Sequence, residues 1–194
     1  MKFTQIPTDA LKQIQMNAGI LLSDFDPATA SFDMEDLLGA TTGGIQFTAT
    51  PEFTDFGDDI DNCPKNTMEL KKMTGFTEVK LSGTYVTVTA ASAKAVIGTA
   101  DIDSQDATHI VPRNDVKLTD FDDVWFVGDY SEINTGSGAG YIAIHVKNAL
   151  STGGFQIKTT DKAKGNFAFE YTAHYSIADI DDVPFEVYVK AGAA

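Results

Sequence analysis

The most constraining feature of this sequence is a period-two alternation of apolar and polar residues. Ile45, Phe47 and Ala49 alternate with polar residues, and a longer alternating run spans 78–89. Successive side chains of a β-strand point to opposite faces, so this spacing predicts half-buried strands. The apolar phase changes near Gly83, which predicts a bulge or a strong local twist there.

Further runs rich in Thr, Val, Phe, Tyr and Ile predict more strands, because such residues suit a pleated, half-buried surface. These runs are 123–129, 140–146, 154–159, 166–175 and 184–190. Glycine-rich or polar turn segments at 134–140, 151–154 and 161–165 separate them. The second half of the chain is therefore predicted to contain three consecutive hairpins.

Helical signals are confined to two short segments. The alanine-rich stretch Ala90–Ile97 follows Thr89, a candidate N-cap, and precedes Gly98, a typical residue just after a helix. A second short helix is predicted over 8–14. One helix on antiparallel strands favours a mainly β fold: an antiparallel β-sandwich or partly closed barrel with one flanking α-helix, in a single domain over residues 1–194.

The charge balance restricts the partners of this chain. It has 194 residues, with 28 acidic and 14 basic side chains and a formal net charge of −14. Binding to a nucleic-acid backbone relies on Lys and Arg displacing counterions, so the composition disfavours it. Eleven acidic residues lie between Leu22 and Leu70 against one base, Lys65. Two interpretations stay open: a solvated face that keeps the protein soluble, or a face with an electrostatic role.

The sequence contains no recognisable catalytic motif. His109, His145 and His174 show no metal-ligand spacing, and the segment 136–140 is glycine-rich but lies between two predicted strands. Cys63 is the only cysteine, which excludes an intrachain disulfide. The chain is therefore predicted not to be an enzyme.

A calcium-binding loop is also not predicted. The acidic run 58–62 invites that interpretation, but an EF-hand that begins at Asp59 would need Gly at its sixth position and Glu at its twelfth. Pro64 and Leu70 occupy those positions. Surface binding of calcium stays a minor alternative.

The segments 1–16 and 51–74 are the least regular parts of the chain. Residues 51–74 are predicted to form a loop that is long for a compact domain, and such loops are usually functional or become ordered on a partner. Residues 1–7 contain no apolar stretch of signal-peptide length, and no run is long enough to span a membrane, which predicts a cytoplasmic location or non-classical release.

The order of several segments resembles a known family. The segments are 17–22, 37–45, 47–57, 62–64 in the acidic stretch, the strand 78–89, the helix start 90–94, 110–115, 123–130, 149–155 and 167–176. Together they resemble the major tail proteins, or tail tube proteins, of long-tailed, siphovirus-type phages and prophages of Gram-positive bacteria. The resemblance covers nearly the whole chain and rests on the series of segments, not on one motif.

The resemblance implies a structural virion subunit without catalytic residue, cofactor or metal. In such proteins six copies form a ring, rings stack into a tube, and DNA passes through the tube during ejection into the host. The location implied is the phage tail, with assembly in the host cytoplasm. The partners implied are further copies of the chain and the tape measure, tail terminator and tail tip proteins.

The resemblance also implies which segments touch. An N-terminal arm (1–16) and the long loop 51–74 are expected to contact neighbouring rings, and the loop is expected to be mobile in the monomer. The tip at 135–140 is a weaker candidate. The residues predicted for the loop contact are Asp55, Asp58, Asp59, Asp61, Asn62 and Lys65.

The dimensions of such a tube are consistent with passage of DNA. About four strands from each of six subunits make a barrel of roughly 24 strands, with a backbone diameter of roughly 48 Å and a lumen of roughly 38 Å. An acidic or neutral wall would let DNA slide, because a basic wall would bind the phosphates. The alternative function is a β-sandwich module that binds a carbohydrate or a host surface. Trp125 lies in an apolar run and is expected in the core, which weakens a sugar platform.

Overall fold

The computed structural model describes residues 14–15, 17–129 and 140–191 and is mainly β with antiparallel pairing. It contains one α-helix, α1 (Ala90–Ile97), and three 3₁₀-helices at Met34–Asp36, Met68–Leu70 and Leu118–Asp120. Its strands are β1 (Ile20–Leu22), β2 (Leu37–Gly39), β3 (Thr41–Asp55), β4 (Lys71–Tyr85), β5 (Ala100–Ile102), β6 (Ile110–Pro112), β7 (Asp122–Asp129), β8 (Tyr141–Ser151), β9 (Gln156–Lys158), β10 (Asn166–Thr172) and β11 (Phe185–Lys190).

The main strands form two layers that share β8. Sheet one has the order β2-β1-β7-β8-β11, and sheet two contains β3, β4, β10 and β9. Residues 141–146 of β8 pair with β7 and β11, whereas Leu150 and Ser151 pair with β10. Within the described residues β3 pairs only with β4, so sheet two keeps an open edge. The sandwich prediction is consistent with this arrangement, and the sheets do not close into a barrel.

The main core lies between the two sheets. Sheet one contributes Leu21, Phe126, Ile144 and Val146, and sheet two contributes Leu81, Tyr85, Phe169 and Tyr171. The hydroxyls of Tyr85 and Tyr171 lie 3.5 Å apart, and burial raises the pKa of both. Both phenols therefore stay neutral in the folded protein.

Sheet one is apolar on its second face as well. Segment 23–33 covers this face, and Phe25 packs on Trp125 and Tyr141. Trp125 is buried, and its ring stacks on that of His145 at 4.0 Å between centroids. The expectation that Trp125 packs in the core is confirmed.

Helix α1 has the bounds and the cap that the sequence predicts. The Thr89 hydroxyl accepts a hydrogen bond from the Ser92 backbone N–H, and the Ser92 hydroxyl accepts one from Thr89 N–H. Gly98 follows with a φ of 83°, which glycine adopts without strain. Val96 joins the main core, so the helix flanks the sandwich as predicted.

A cluster of ion pairs around Arg113 holds the segment after α1. Arg113 is the only arginine of the chain, and its guanidinium contacts Asp101, Asp115 and the buried Asp120. The Asp120 carboxylate also accepts the Lys117 backbone N–H at 2.8 Å. That hydrogen bond, followed by the Arg113 guanidinium, holds the pKa of Asp120 below its usual range.

Several sequence-based predictions need correction. The irregularity near Gly83 lies in the neighbouring strand β3, where pairing moves from Thr41↔Tyr85 to Ile45↔Gly83 and residues 42–44 bulge. Of the three predicted hairpins, the first (β7–β8) and the third (β9–β10) are confirmed. The middle one does not form, because β9 pairs with β10 and not with β8. β8 turns into sheet two instead, because its last residues pair with β10.

Nearly all of the predicted helix 8–14 and arm 1–16, and the tip 135–139, lie outside the described residues.

Candidate assembly surfaces

The hairpin of β3 and β4 extends beyond the sandwich. β10 pairs with β4 only over residues 80–85, whereas β3 follows β4 back to the pair Asp55↔Lys71. Residues 51–55 and 71–77 therefore form a two-stranded ribbon, about 20 Å long at a normal strand rise. The prediction of a loop over 51–74 is wrong at both ends, and the loop itself is 56–70.

Pro51 explains why residues 51–55 of β3 were predicted to form a loop. Proline reads as a strand breaker, because it cannot donate to a β-ladder. In the structure Pro51 lies on the edge strand β3, beside a shift of register between Thr50 and Pro51. An edge position and a bulge are the places where a sheet tolerates proline.

The loop 56–70, here called the tip loop, is closed by its own hydrogen bonds. The Asp55 carboxylate accepts the backbone N–H groups of Gly57 at 2.9 Å and Asn66 at 3.0 Å. The Phe56 N–H donates to the Leu70 carbonyl at 3.0 Å. These bonds join the start of the loop to its end and define its conformation, whereas its predicted mobility in the monomer stays a prediction.

The interior of the tip loop is small and specific. Gly57 is buried, and a Cβ at this position would lie 3.1 Å from Cys63 Sγ and 3.3 Å from Leu70 Cδ1. Cys63 Sγ lies 3.3 Å from the Thr67 hydroxyl. Cys63 thus helps to fill the loop.

The predicted contact residues divide into two groups. Asp55 acts within the loop, and Asn62 adopts a left-handed φ of 62° that asparagine tolerates better than most residues. Asp58, Asp59, Asp61 and Lys65 are exposed. No ion pair within 4.0 Å involves these four side chains in the described part of the chain. Asn62 is exposed as well, so of the six predicted contact residues only Asp55 is held by bonds within the loop.

Sequence reasoning missed the apolar side chains of the same hairpin. Met68 is 80% exposed, Phe56 58% and Phe53 54%, and Ile60 and Met73 are exposed as well. A signal was present, because the apolar alternation of residues 45, 47 and 49 continues through 51 to 53. Phe53 and Met73 are direct cross-strand partners, so the core-facing side of the sheet is uncovered here, beyond Phe76, which packs on Phe185.

The outer face of sheet two is polar and has no net charge. Lys80 lies 3.4 Å from Glu78 and 3.6 Å from Glu170 on this face. The strand register places small or uncharged side chains around them, with Lys158 as the fourth charged residue. The face comprises Gln46, Thr48, Thr50, Glu78, Lys80, Ser82, Thr84, Gln156, Lys158, Asn166, Ala168, Glu170 and Thr172.

The eleven acidic residues between Leu22 and Leu70 do not form one face. Five of them lie in segment 24–36, next to sheet one, and the other six lie on the hairpin. The acidic excess is thus distributed over two separate elements, and of these residues only Glu52 continues the outer-facing alternation of β3, beyond Thr50 on the ribbon.

The histidines have ordinary structural surroundings. His145 Nε2 lies 2.9 Å from an Asp123 oxygen while its ring stacks on Trp125. His174 Nδ1 lies 3.2 Å from the Asn148 carbonyl. Among residues 14–15, 17–129 and 140–191, no group of three or more His, Cys, Asp or Glu side chains could hold a metal ion.

No helix in the described part of the chain is long and apolar enough to cross a membrane. Comparison of the sequence with protein-family models gave no match, and comparison with curated proteins gave none. The surfaces themselves are therefore the basis for any functional conclusion.

Proposed function

We propose that this chain is a tail tube subunit of a long-tailed phage or prophage, which forms stacked hexameric rings around a conduit for DNA ejection. The observation that carries the proposal is the projecting β3–β4 hairpin, whose Phe53, Phe56 and Met68 side chains are each more than half exposed. Soluble monomers rarely expose such clusters, and a contiguous patch of this kind usually marks an interaction site.

Sheet two supports the proposal by its width and its open edges. Near Asn166 it is four strands wide, in the order β3-β4-β10-β9. Six copies joined edge to edge would supply roughly 24 strands, the number that gives a lumen of roughly 38 Å. The unpaired edge of β3 offers backbone groups for such a junction.

The outer face of sheet two suits the wall of a DNA conduit. Its two acidic and two basic side chains balance, and the other side chains are mostly hydroxyls and amides. A wall without net positive charge has little attraction for phosphates spaced about 1.7 Å apart along the duplex axis. The acidic excess of the chain then lies mainly away from the DNA.

Negative-stain electron microscopy of the concentrated protein tests the proposal. We expect hollow rings and tubes, and a persistent monomer at all concentrations would contradict it. Deletion of 58–64 should prevent tubes while the circular dichroism and the melting temperature stay close to those of the parent. Normal tubes from the deleted protein would exclude the tip loop as a contact.

A substitution at the exposed apolar residues sharpens this experiment. The triple variant Phe56→Ser, Ile60→Ser and Met68→Ser keeps the loop length and should also abolish tubes. Leu118 is 91% exposed but lies on a 3₁₀-helix outside the hairpin, so Leu118→Ser is the matched control. Tubes from the control and none from the triple variant would assign the contact to the hairpin.

A binding module for carbohydrate or a host surface is the second candidate. Exposed aromatic rings on the hairpin, Phe53 and Phe56, are the observation in its favour, since Trp125 is buried. This candidate predicts a monomer with a saturable ligand. Glycan-array binding without any rings would favour it over the tail tube.

A further inference from the structure

The tip loop and the turn between β9 and β10 lie at opposite ends of sheet two. β4 leads away from the tip loop at Lys71 and ends at Tyr85, which pairs with Phe167 near the start of β10. The turn 159–165 immediately precedes β10 and therefore projects from the far end. The strand rise along β4 places the two ends about 45 Å apart.

The two ends carry opposite charge. Residues 55–72 contain five acidic side chains and three lysines, Lys65, Lys71 and Lys72, a net charge of −2. Residues 156–165 contain Lys158, Lys162 and Lys164 with one aspartate, a net charge of +2 in a strongly acidic protein. None of these three lysines has an ion-pair partner within 4.0 Å in the described part of the chain.

Both ends also expose apolar side chains beside their charges. Phe56, Ile60 and Met68 lie on the tip loop. At the far end Phe155 and Ile157 are exposed, with the Phe155 ring 6.0 Å from that of Phe167. An apolar centre with a charged rim is the usual composition of a specific protein interface.

We propose that the tip loop of one copy docks on the segment 155–165 of a second copy, here called the lysine turn. The two surfaces differ, so the contact is head to tail. When two copies bind in this way, one tip loop and one lysine turn stay unoccupied. Further copies can therefore add at both ends, unlike in a two-fold symmetric dimer. Resting on the proposed function, this contact joins successive rings and gives the tube its polarity.

The geometry sets a spacing for the rings. If the strands tilt by about 40°, a separation of about 45 Å between the two ends projects to about 35 Å along the tube axis. Six equivalent contacts between two rings act together, so each one can be weak. Because the charges lie at an exposed rim, added salt should weaken the stacking.

Charge reversal tests the pairing directly. The tip variant is Asp58→Lys with Asp59→Lys, and the turn variant is Lys162→Glu with Lys164→Glu. Each alone should stop assembly at single rings and raise the critical concentration for tubes at least about tenfold. An equimolar mixture of preformed rings of the two should recover tubes in which the two variants alternate, because each end of one variant then meets an end of opposite charge on the other. One chain with all four substitutions should form tubes by itself.

The matched control reverses charge elsewhere. Asp179 and Asp181 are exposed on the loop before β11, and Asp179→Lys with Asp181→Lys makes the same charge change as the tip variant. The control should form tubes as the parent does. Normal stacking of either the tip or the turn variant, or no rescue by the fourfold variant, would overturn the proposed pairing.

Disulfide trapping gives a second readout that does not depend on tube length. In a Cys63→Ser background, protein with Asp59→Cys is assembled with protein carrying Ala163→Cys and then oxidised. Covalent dimers of the two chains should form in tubes, and replacing the second chain by Asp179→Cys should remove them. If the parent makes no rings or tubes at all, the proposed function itself fails. If the parent makes tubes and no trapped dimer appears, only the docking inference fails.

Discussion

At the scale of single residues, the packing of the core between the two sheets requires a glycine at one position of β4. Gly83 lies at the centre of sheet two, directly opposite Phe169 of β10. A Cβ at Gly83 would lie 2.7 Å from Phe169 Cζ and 3.2 Å from the Gly44 carbonyl oxygen. The ring of Phe169 therefore occupies the space that any other residue at position 83 would need.

The structure predicts that substitution of Gly83 lowers the free energy of unfolding. Alanine normally suits a strand better than glycine, but at position 83 the contact forces Phe169 or β3 to move. Gly83→Ala should lower the free energy of unfolding by about 1–3 kcal/mol, measured by urea denaturation. A Cβ at Gly165 would lie 3.9 Å from its nearest neighbour, an ordinary contact. The control Gly165→Ala should therefore change the free energy of unfolding little. Equal stability of the two variants would contradict the packing described.

The carboxylate of Asp120 predicts a pH dependence of stability. Its folded pKa lies below the ordinary value of 3.8, because the Lys117 N–H and the Arg113 guanidinium stabilise the charged form. A lowered folded pKa means that the stabilisation is fully present above pH 3.8. It is lost as the pH falls below that value through the folded pKa.

Thermal melts at several pH values check this dependence. Asp120→Asn should melt several degrees below the parent at pH 7, and the gap should narrow as the pH falls below about 4. Asp59→Asn removes an exposed carboxylate without an ion-pair partner among the described residues and should show a small gap at every pH. A gap for Asp120→Asn that does not change with pH would contradict the assigned role.

At the scale of elements, the hairpin tip is a loop closed by its own hydrogen bonds. Asp55 accepts two backbone N–H groups from opposite ends of the loop. Asp58, three residues later, has no such bond among the described residues and is fully on the surface. The same residue type thus has two different roles within one acidic stretch.

Hydrogen exchange distinguishes these two roles. Asp55→Ala should speed exchange of the Gly57 and Asn66 amides at least about fivefold, because each loses an acceptor worth about 1 kcal/mol. Asp58→Ala should leave both amides unchanged. In tube assembly the order of effects should differ, because Asp58 is free to face a partner and Asp55 is not. Equal exchange in both variants would remove the structural role of Asp55.

At the scale of the whole molecule, the charge is distributed by surface. The tip loop and the sheet-one side carry acidic excess, the lysine turn is positive, and the outer face of sheet two is balanced. Under the proposed function, this face should tolerate substitutions that preserve its neutrality and respond to added positive charge. The conduit then works because its wall does not hold the phosphates.

Lysines added to the outer face of sheet two test whether this face forms the wall of the conduit. Gln46→Lys with Thr50→Lys places twelve new charges in each hexameric ring under the proposed assembly. Such tubes should retain double-stranded DNA in a sedimentation assay at low salt and release it as salt rises. Ser104→Lys with Gln105→Lys, on an exposed loop outside sheet two, is the control. Retention by the control, or by neither variant, would argue against this face as the wall.

Local signals were sufficient to predict several elements from the amino-acid sequence. Helix α1 was predicted with its bounds because a hydroxyl cap and a terminal glycine act on neighbouring residues. Strand β7 was predicted within one residue because alternation depends only on adjacent positions. The same local signals located the exposed acidic stretch, but they treated Asp55 and Asp58 alike.

Features that depend on pairing between distant segments are visible only in the folded structure. Pro51 reads as a break, yet β4 supplies the partner that keeps residues 51–55 in a strand. The place of the lysine turn opposite the tip loop follows from the pair Phe167↔Tyr85, which no local pattern encodes. Register between segments far apart is set by packing over the whole core, so the surface formed by the two ends of sheet two appears only once the sheet is assembled.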